Sequence, residues 1–157
     1  MELQARHLCR WPPAGPAVPG NRAAGARDCT TGKTVRVADH TDLHYHNDAE
    51  PLGVSLSWDG RWLAFSSDAD NLVPGDTDGK RDVFVYDRET GRVELVSVAA
   101  GGENATGSWP SISADGRYVA FESDAGNLVP GVAGGYSQVY VHDRETGSTE
   151  LVSCSSR

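Results

Sequence analysis

An internal repeat constrains this chain more than any other feature. Residues Ser55 to Val98 align without a gap on Ser111 to Cys154 at an offset of 56, and 27 of the 44 pairs are identical. Most other pairs keep their chemistry, as in Trp62 with Tyr118, Leu63 with Val119 and Phe84 with Tyr140. A tandem unit of this length is one supersecondary module, and such modules bury apolar faces against their neighbours.

Each copy reads as four short strands. Leu56-Ser57 opens the first, and Trp58-Asp59-Gly60 turns the chain, Asp-Gly being a pair suited to a tight hairpin. Arg61 to Ser67 is the second strand, rich in the aromatic and aliphatic residues that fit a pleated surface. A polar loop runs from Asp68 to Arg81. Asp82 to Asp87 is the third strand, apolar on both sides and so suited to burial between layers. Glu89-Thr90-Gly91 turns the chain again into a fourth strand, Arg92 to Ser97. The second copy repeats the scheme with Arg117 to Ser123, Gln138 to Asp143 and the turn Glu145-Thr146-Gly147. Helix signals are absent, and the expected class is all-β.

A third, partial copy lies upstream. Asp28 to Ala38 (D-C-T-T-G-K-T-V-R-V-A) parallels Asp87 to Ser97 (D-R-E-T-G-R-V-E-L-V-S). This is the last turn and outer strand of a unit whose first three strands are not recognisable. The expected organisation is an unfolded leader at 1–27, a remnant outer strand and His-rich connector at 28–54, one unit with its connector at 55–110, and a second unit at 111–157.

Three segments carry a family resemblance: S-x-S-x-D-G-R-x-x-A-F, S-D-A-x-N-L-V-P-G, and the V-F-V-Y-D-R-E-T-G type. They resemble the TolB-like, or WD-repeat-like, β-propellers, over Ser55 to Cys154 closely and Asp28 to Ala38 weakly. The resemblance implies two four-stranded antiparallel blades plus the outer strand of a preceding blade. Proteins similar to this serve as periplasmic partners in envelope complexes, as secreted proteins of unknown role, or as propellers beside peptidase domains, so a periplasmic or secreted location and a protein partner are what it implies. Fold alone does not choose among these roles. A closed propeller has about four to eight blades. The chain is therefore expected to be a piece of a longer propeller. The alternative is a homo-oligomer in which copies join head to tail through exposed blade faces and close a ring.

Charge and composition narrow the classes. The net charge is -8, and no basic stripe offers a groove for nucleic acid. No apolar run is long enough for a membrane span or a signal-peptide core. The first 27 residues hold Pro12, Pro13, Pro16 and Pro19 without apolar periodicity. Cys9, Cys29 and Cys154 are odd in number, lack a metal-ligand spacing and read as unrelated thiols.

Two constellations could hold a metal. The loop Pro74-Gly75-Asp76-Thr77-Asp78-Gly79-Lys80-Arg81-Asp82 crowds three carboxylates, which repel unless solvated or bridged by a cation. Its D-x-D-G-x-x-D spacing is similar to the last part of the calcium loops in integrin-type propellers, with Pro74 where the first acidic ligand would stand. Ca²⁺ takes oxygen ligands, and the candidate set is Asp76, Asp78 and Asp82 with the Lys80 carbonyl; the alternative is a solvated acidic turn. The aligned second loop has Val132, Ala133, Gly134 and Gln138 and lacks the set. His40, His44 and His46 lie close together, but a bare His tract is only a compositional signal, and it reads as a polar connector. In an up-and-down blade the second-to-third-strand loop and the blade-to-blade connector open on one face, so the acidic loop Asp76 to Asp82 and the His-rich connector should lie on that face together.

No nucleophile-base arrangement, phosphate loop or paired-Cys motif is present. The serines and Asp87 with Asp143 recur at equivalent positions, which suits hydrogen bonding rather than catalysis. The expected function is a non-catalytic propeller fragment acting as a protein-interaction or structural module. A calcium-binding extracellular propeller and an accessory propeller separated from a peptidase are the alternatives. The expected core between the blades is Leu63, Phe65, Val83 and Val85 with Val119, Phe121, Val139 and Val141.

Overall fold

The computed structural model describes residues 53–74, 76, 79–99 and 101–153, together with two strands at 23–27 and 34–39. Those upstream strands are β1 (Ala23–Arg27) and β2 (Thr34–Asp39), an antiparallel pair. The first copy folds as β3 (Val54–Leu56), β4 (Trp62–Ser67), β5 (Asp82–Asp87) and β6 (Val93–Leu95). The second folds as β7 (Ser108–Ile112), β8 (Tyr118–Ser123), β9 (Gln138–Asp143) and β10 (Ser148–Leu151). Each copy is one four-stranded antiparallel sheet with its strands in chain order, which is the up-and-down topology of a propeller blade. The described residues contain no helix, and so none long and apolar enough to cross a membrane.

Register decides which side chains meet. Leu63 stands opposite Tyr86, Ala64 opposite Val85 and Phe65 opposite Phe84. Residues alternate along a strand and opposed residues share a face. Blade one therefore has a leading face of Leu63, Phe65, Phe84 and Tyr86, and a trailing face of Ala64, Ser66, Val83 and Val85. In blade two, Val119, Phe121, Tyr140 and His142 form the leading face, and Ala120, Glu122, Val139 and Val141 the trailing one. The blades stack trailing face to leading face: Ala64, Val83 and Val85 join Val119, Phe121 and Tyr140 in one buried cluster.

This corrects half of the expected core. Val83, Val85, Val119 and Phe121 do meet between the blades. Leu63 and Phe65 belong instead to a separate cluster with Phe84 on the leading face of blade one. Val139 and Val141 lie on the trailing face of blade two, away from blade one, and Val139 is exposed. The expected pairing of Leu63 and Phe65 with Val83 and Val85 violated strand parity, because an antiparallel register that opposes Ala64 to Val85 excludes it.

The upstream pair corrects another expectation. The segment 34–39 is a strand, as its likeness to the fourth strand of a blade implies, but it is paired with Ala23–Arg27, inside the supposed unfolded leader. Its register is that of a blade. Arg27 opposes Thr34, Ala26 opposes Val35 and Gly25 opposes Arg36, as Tyr86, Val85 and Phe84 oppose Val93, Glu94 and Leu95. The remnant is thus a third-and-fourth-strand hairpin rather than a lone outer strand.

Candidate functional site

The duplicated polar residues gather at one end of each blade, where the turn between the first two strands meets the turn between the last two. Asp59 accepts hydrogen bonds from Ser57 Oγ (2.6 Å) and Arg61 N (3.0 Å), while Ser57 Oγ accepts from Trp62 N at 3.0 Å. Arg61 reaches across the sheet and donates through Nε and Nη2 to the two oxygens of Asp87, at 3.2 and 2.9 Å. Asp87 also accepts from Glu89 N (2.9 Å) and Thr90 Oγ1 (3.0 Å). Arg88 closes the clasp by donating to the Gly60 carbonyl at 2.6 Å.

Blade two repeats this arrangement with Ser113, Asp115, Arg117, Asp143 and Arg144, Arg117 reaching Asp143 at 2.9 and 2.7 Å. The hydrogen-bonded guanidinium of Arg61 holds the Asp87 carboxyl well below the ordinary carboxylate range, and Arg117 does the same for Asp143. Ser97 and Ser153 are used likewise. Ser97 Oγ accepts from Val83 N (3.0 Å) and donates to Asp82 (2.6 Å), and Ser153 Oγ accepts from Val139 N at 2.9 Å and donates to Gln138.

One arginine of blade two reaches across to blade one. The Arg144 guanidinium lies 3.8 Å from the centroid of the Trp62 ring on blade one, donates to the Gly116 carbonyl on its own blade, and pairs with Glu94 on β6. Trp62 carries Arg61 as well, 4.5 Å from the ring centroid. Gly116 sits against the same ring: a Cβ there would lie 2.1 Å from Trp62 Cδ1. Sequence reasoning identified Asp87 and Asp143 as turn acceptors but missed the arginines. The signal was present, since D-G-R and D-R-E-T-G both recur with their arginines intact.

The acidic loop is only partly in view. Asp76 and Asp82 are buried, Lys80 is exposed, and Asp78 lies outside the described residues. Asp76 accepts from Asn104 Nδ2 at 3.3 Å, and Asp82 accepts from Ser97. Asn104 belongs to the connector after blade one, and Asn127 Nδ2 of the second blade's loop donates to its carbonyl at 3.1 Å. The two loops and the connector after blade one therefore share one end of the blades, while the His-rich connector expected there lies outside the described residues. Among the described residues no three His, Cys, Asp or Glu side chains form a group that could hold a metal ion. His40, His44 and His46, and Cys9, Cys29 and Cys154, lie outside the described residues.

What the two sheets define is a pair of successive β-propeller blades. No protein-family model matches the chain, and no curated protein sequence does. Among solved structures, the chain is similar to a putative TolB from Agrobacterium tumefaciens at 18% identity and a TM-score of 0.48, over 81% of this chain and 39% of that one. It is similar to TolB from Acinetobacter baumannii at 17% identity and a TM-score of 0.39, over 86% of this chain and 38% of that one. The tricorn protease matches at 17% identity and a TM-score of 0.45, over 82% of this chain and 10% of that one. The chain thus spans well under half the length of each.

Proposed function

We propose that the chain is a non-catalytic β-propeller section that serves as a protein-interaction or structural module. The observation that carries this reading is the use made of the duplicated polar residues. Ser57, Asp59, Arg61 and Asp87, like their counterparts in blade two, bond one another to clasp the turns, so none is poised over a cleft as a nucleophile or base. The trailing face of blade two, by contrast, is left open, with Tyr118, Val139 and Val152 exposed. Exposed apolar surface on an ordered sheet marks a contact site.

Two measurements test this. A photo-crosslinker at Val139 is expected to capture a protein, and one at Phe121, buried in the seam between the blades, is expected to capture none. A broad hydrolase screen is expected to show no turnover. Turnover abolished by a single substitution in 53–153 overturns the reading.

A second reading, in which the loop takes up Ca²⁺, is favoured by the burial of the Asp76 and Asp82 carboxylates at the base of one loop. Its ligands are Asp76, Asp78 and Asp82 with the Lys80 carbonyl. Calorimetry is expected to show heat that Asp78→Asn diminishes and Gly134→Ala leaves unchanged, and no heat at millimolar calcium removes this reading.

A further inference from the structure

The seam between the blades shows how this molecule receives an arginine. The Arg144 guanidinium lies 3.8 Å from the centroid of the Trp62 ring and pairs with Glu94, so an aromatic ring and a carboxylate of blade one hold it together. Glu94 stands in line with Val85 and Ala64 across the sheet, on the same trailing face as Trp62. Blade two carries an equivalent pair. Glu150 stands in line with Val141 and Ala120, and Tyr118 takes the place of Trp62. Arg117 of its own blade lies 5.0 Å from the Tyr118 ring centroid, as Arg61 lies beside Trp62, and Tyr118 is 42% exposed. Glu150 is exposed and has no ion pair among the described residues.

Glu122 sets this face apart from the one that blade two covers. It is exposed on β8 where blade one has the buried Ser66, and Ser137 Oγ donates to it at 3.2 Å. Covering a carboxylate with apolar surface is costly unless a cation meets it. The occupant of this face therefore differs from the apolar Val119, Phe121 and Tyr140 that cover blade one. Tyr118 and Glu122 stand four residues apart on one side of β8, about 13 Å along the strand. Between them lies Ala120, with Val141 opposite it and the exposed Val139 opposite Glu122. The face is thus an apolar strip with a ring and a carboxylate at one end and a second carboxylate at the other. Side chains at alternate positions of an extended segment point one way, and the first and fifth are again about 13 Å apart. The chain's net charge of -8 draws in a basic partner from a distance.

We propose that the trailing face of blade two binds an extended, dibasic segment of a partner protein, of the type Arg-x-Val-x-Arg. One arginine stacks on Tyr118 and pairs with Glu150, as Arg144 does with Trp62 and Glu94. The central aliphatic side chain lies against Ala120, Val139 and Val141, and the second arginine pairs with Glu122. This rests on the module reading above and names the chemistry of the partner. A guanidinium suits the Tyr118 corner better than an ammonium, because its plane stacks on the ring while its fork bonds the carboxylate. Opposite charges at both ends of the strip fix the register of the segment.

Titration of the full chain with the peptide Ac-Arg-Ser-Val-Ser-Arg-NH2, followed through amide chemical shifts, tests the proposal. The expected result is saturable shifts at millimolar peptide, centred on Tyr118, Glu122, Val139 and Glu150. Glu122→Gln and Glu150→Gln each weaken binding roughly threefold, the range of partly exposed ion pairs, and added salt weakens it in the parent chain. Both side chains are exposed, so neither change threatens the fold, and circular dichroism confirms that. Peptides with lysine for both arginines, or with the arginines adjacent, bind more weakly. Shifts that do not saturate, or binding indifferent to both glutamine variants, overturn the proposal. So does tighter binding of a helical peptide with its arginines about two turns apart, or self-association of the chain through Val139 without peptide. A Val139 crosslink to a protein, with no peptide binding, refutes the dibasic segment and leaves the module reading intact, whereas turnover in the hydrolase screen refutes the module reading and leaves the titration standing.

Discussion

Asp87 carries a charge that the fold prefers, and His142 one that the fold refuses. Arg61 keeps the Asp87 carboxyl below its ordinary 3.8, as Arg117 does for Asp143. A depressed carboxyl pKa means that the unfolded chain binds the proton more readily. The stabilisation is therefore complete above 3.8 and is lost as pH falls from there toward the folded value. His142 sits in the seam with Nδ1 2.9 Å from Thr149 Oγ1, and burial lowers its pKa from 6.5. Glu94 and Asp143 oppose that shift and Arg144 reinforces it. The neutral ring is the one that fits, so this contribution is present above 6.5 and declines as pH falls through the folded value. Denaturant unfolding at stepped pH should show two separate losses. His142→Gln is expected to flatten the upper one alone, and Asp87→Asn to reduce the acid one, which Asp143→Asn in the same chain reduces further. Arg61→Ala should cost little stability at neutral pH, since a partly exposed guanidinium is screened.

Turns and strands obey tighter rules than their sequences reveal. Gly91 and Gly116 both adopt positive φ, at 74° and 77°. Around Gly91 a new Cβ meets nothing within 4 Å, whereas at Gly116 it would strike the Trp62 ring. Gly91→Ala is thus expected to cost about 1–2 kcal/mol, the left-handed penalty alone. Gly116→Ala should cost about 2–4 kcal/mol, because the ring must also leave Arg144. Chemical-denaturation midpoints separate the two. The strands themselves were legible, since β4, β5, β8 and β9 fall where aromatic and β-branched residues cluster between Asp-Gly and Thr-Gly turns. Which face of β4 meets blade two was not. Both Leu63 with Phe65 and Trp62 with Ala64 are apolar, and a strand buried on both sides offers no polar face to break the tie. β1 was invisible for the opposite reason: Ala23-Ala24-Gly25-Ala26 has weak strand propensity, and only its pairing with β2 reveals it. Of the candidate metal ligands, the sequence could order Asp76 and Asp82 along the loop but could not foresee that Asn104 and Ser97 would engage them.

Across the whole molecule, burial falls from blade one to blade two. All but one residue of β5 is buried, whereas β9 is buried at only two positions. Amide hydrogen exchange should therefore be slowest in 62–67 and 82–87 and faster along 138–143, with the edge strand at 148–151 faster still. The same exchange map should show little opening at the seam, for a reason that lies in where it is fastened. Along the β3–β7 side, Ile112 N donates to Ser55 Oγ at 3.1 Å and Trp58 N to Ala114 O at 3.0 Å. At the loop end, Gly107 N donates to Arg81 O at 2.8 Å. At the β6 side, Arg144 holds Glu94. Two plates that swing apart need one free margin, as a book needs an unbound edge. These plates are stitched along both margins and across one end. Splaying would have to break every stitch together, so the pair behaves under torsion as one stiff slab, and nothing the size of a side chain can slip between the pages while it is folded.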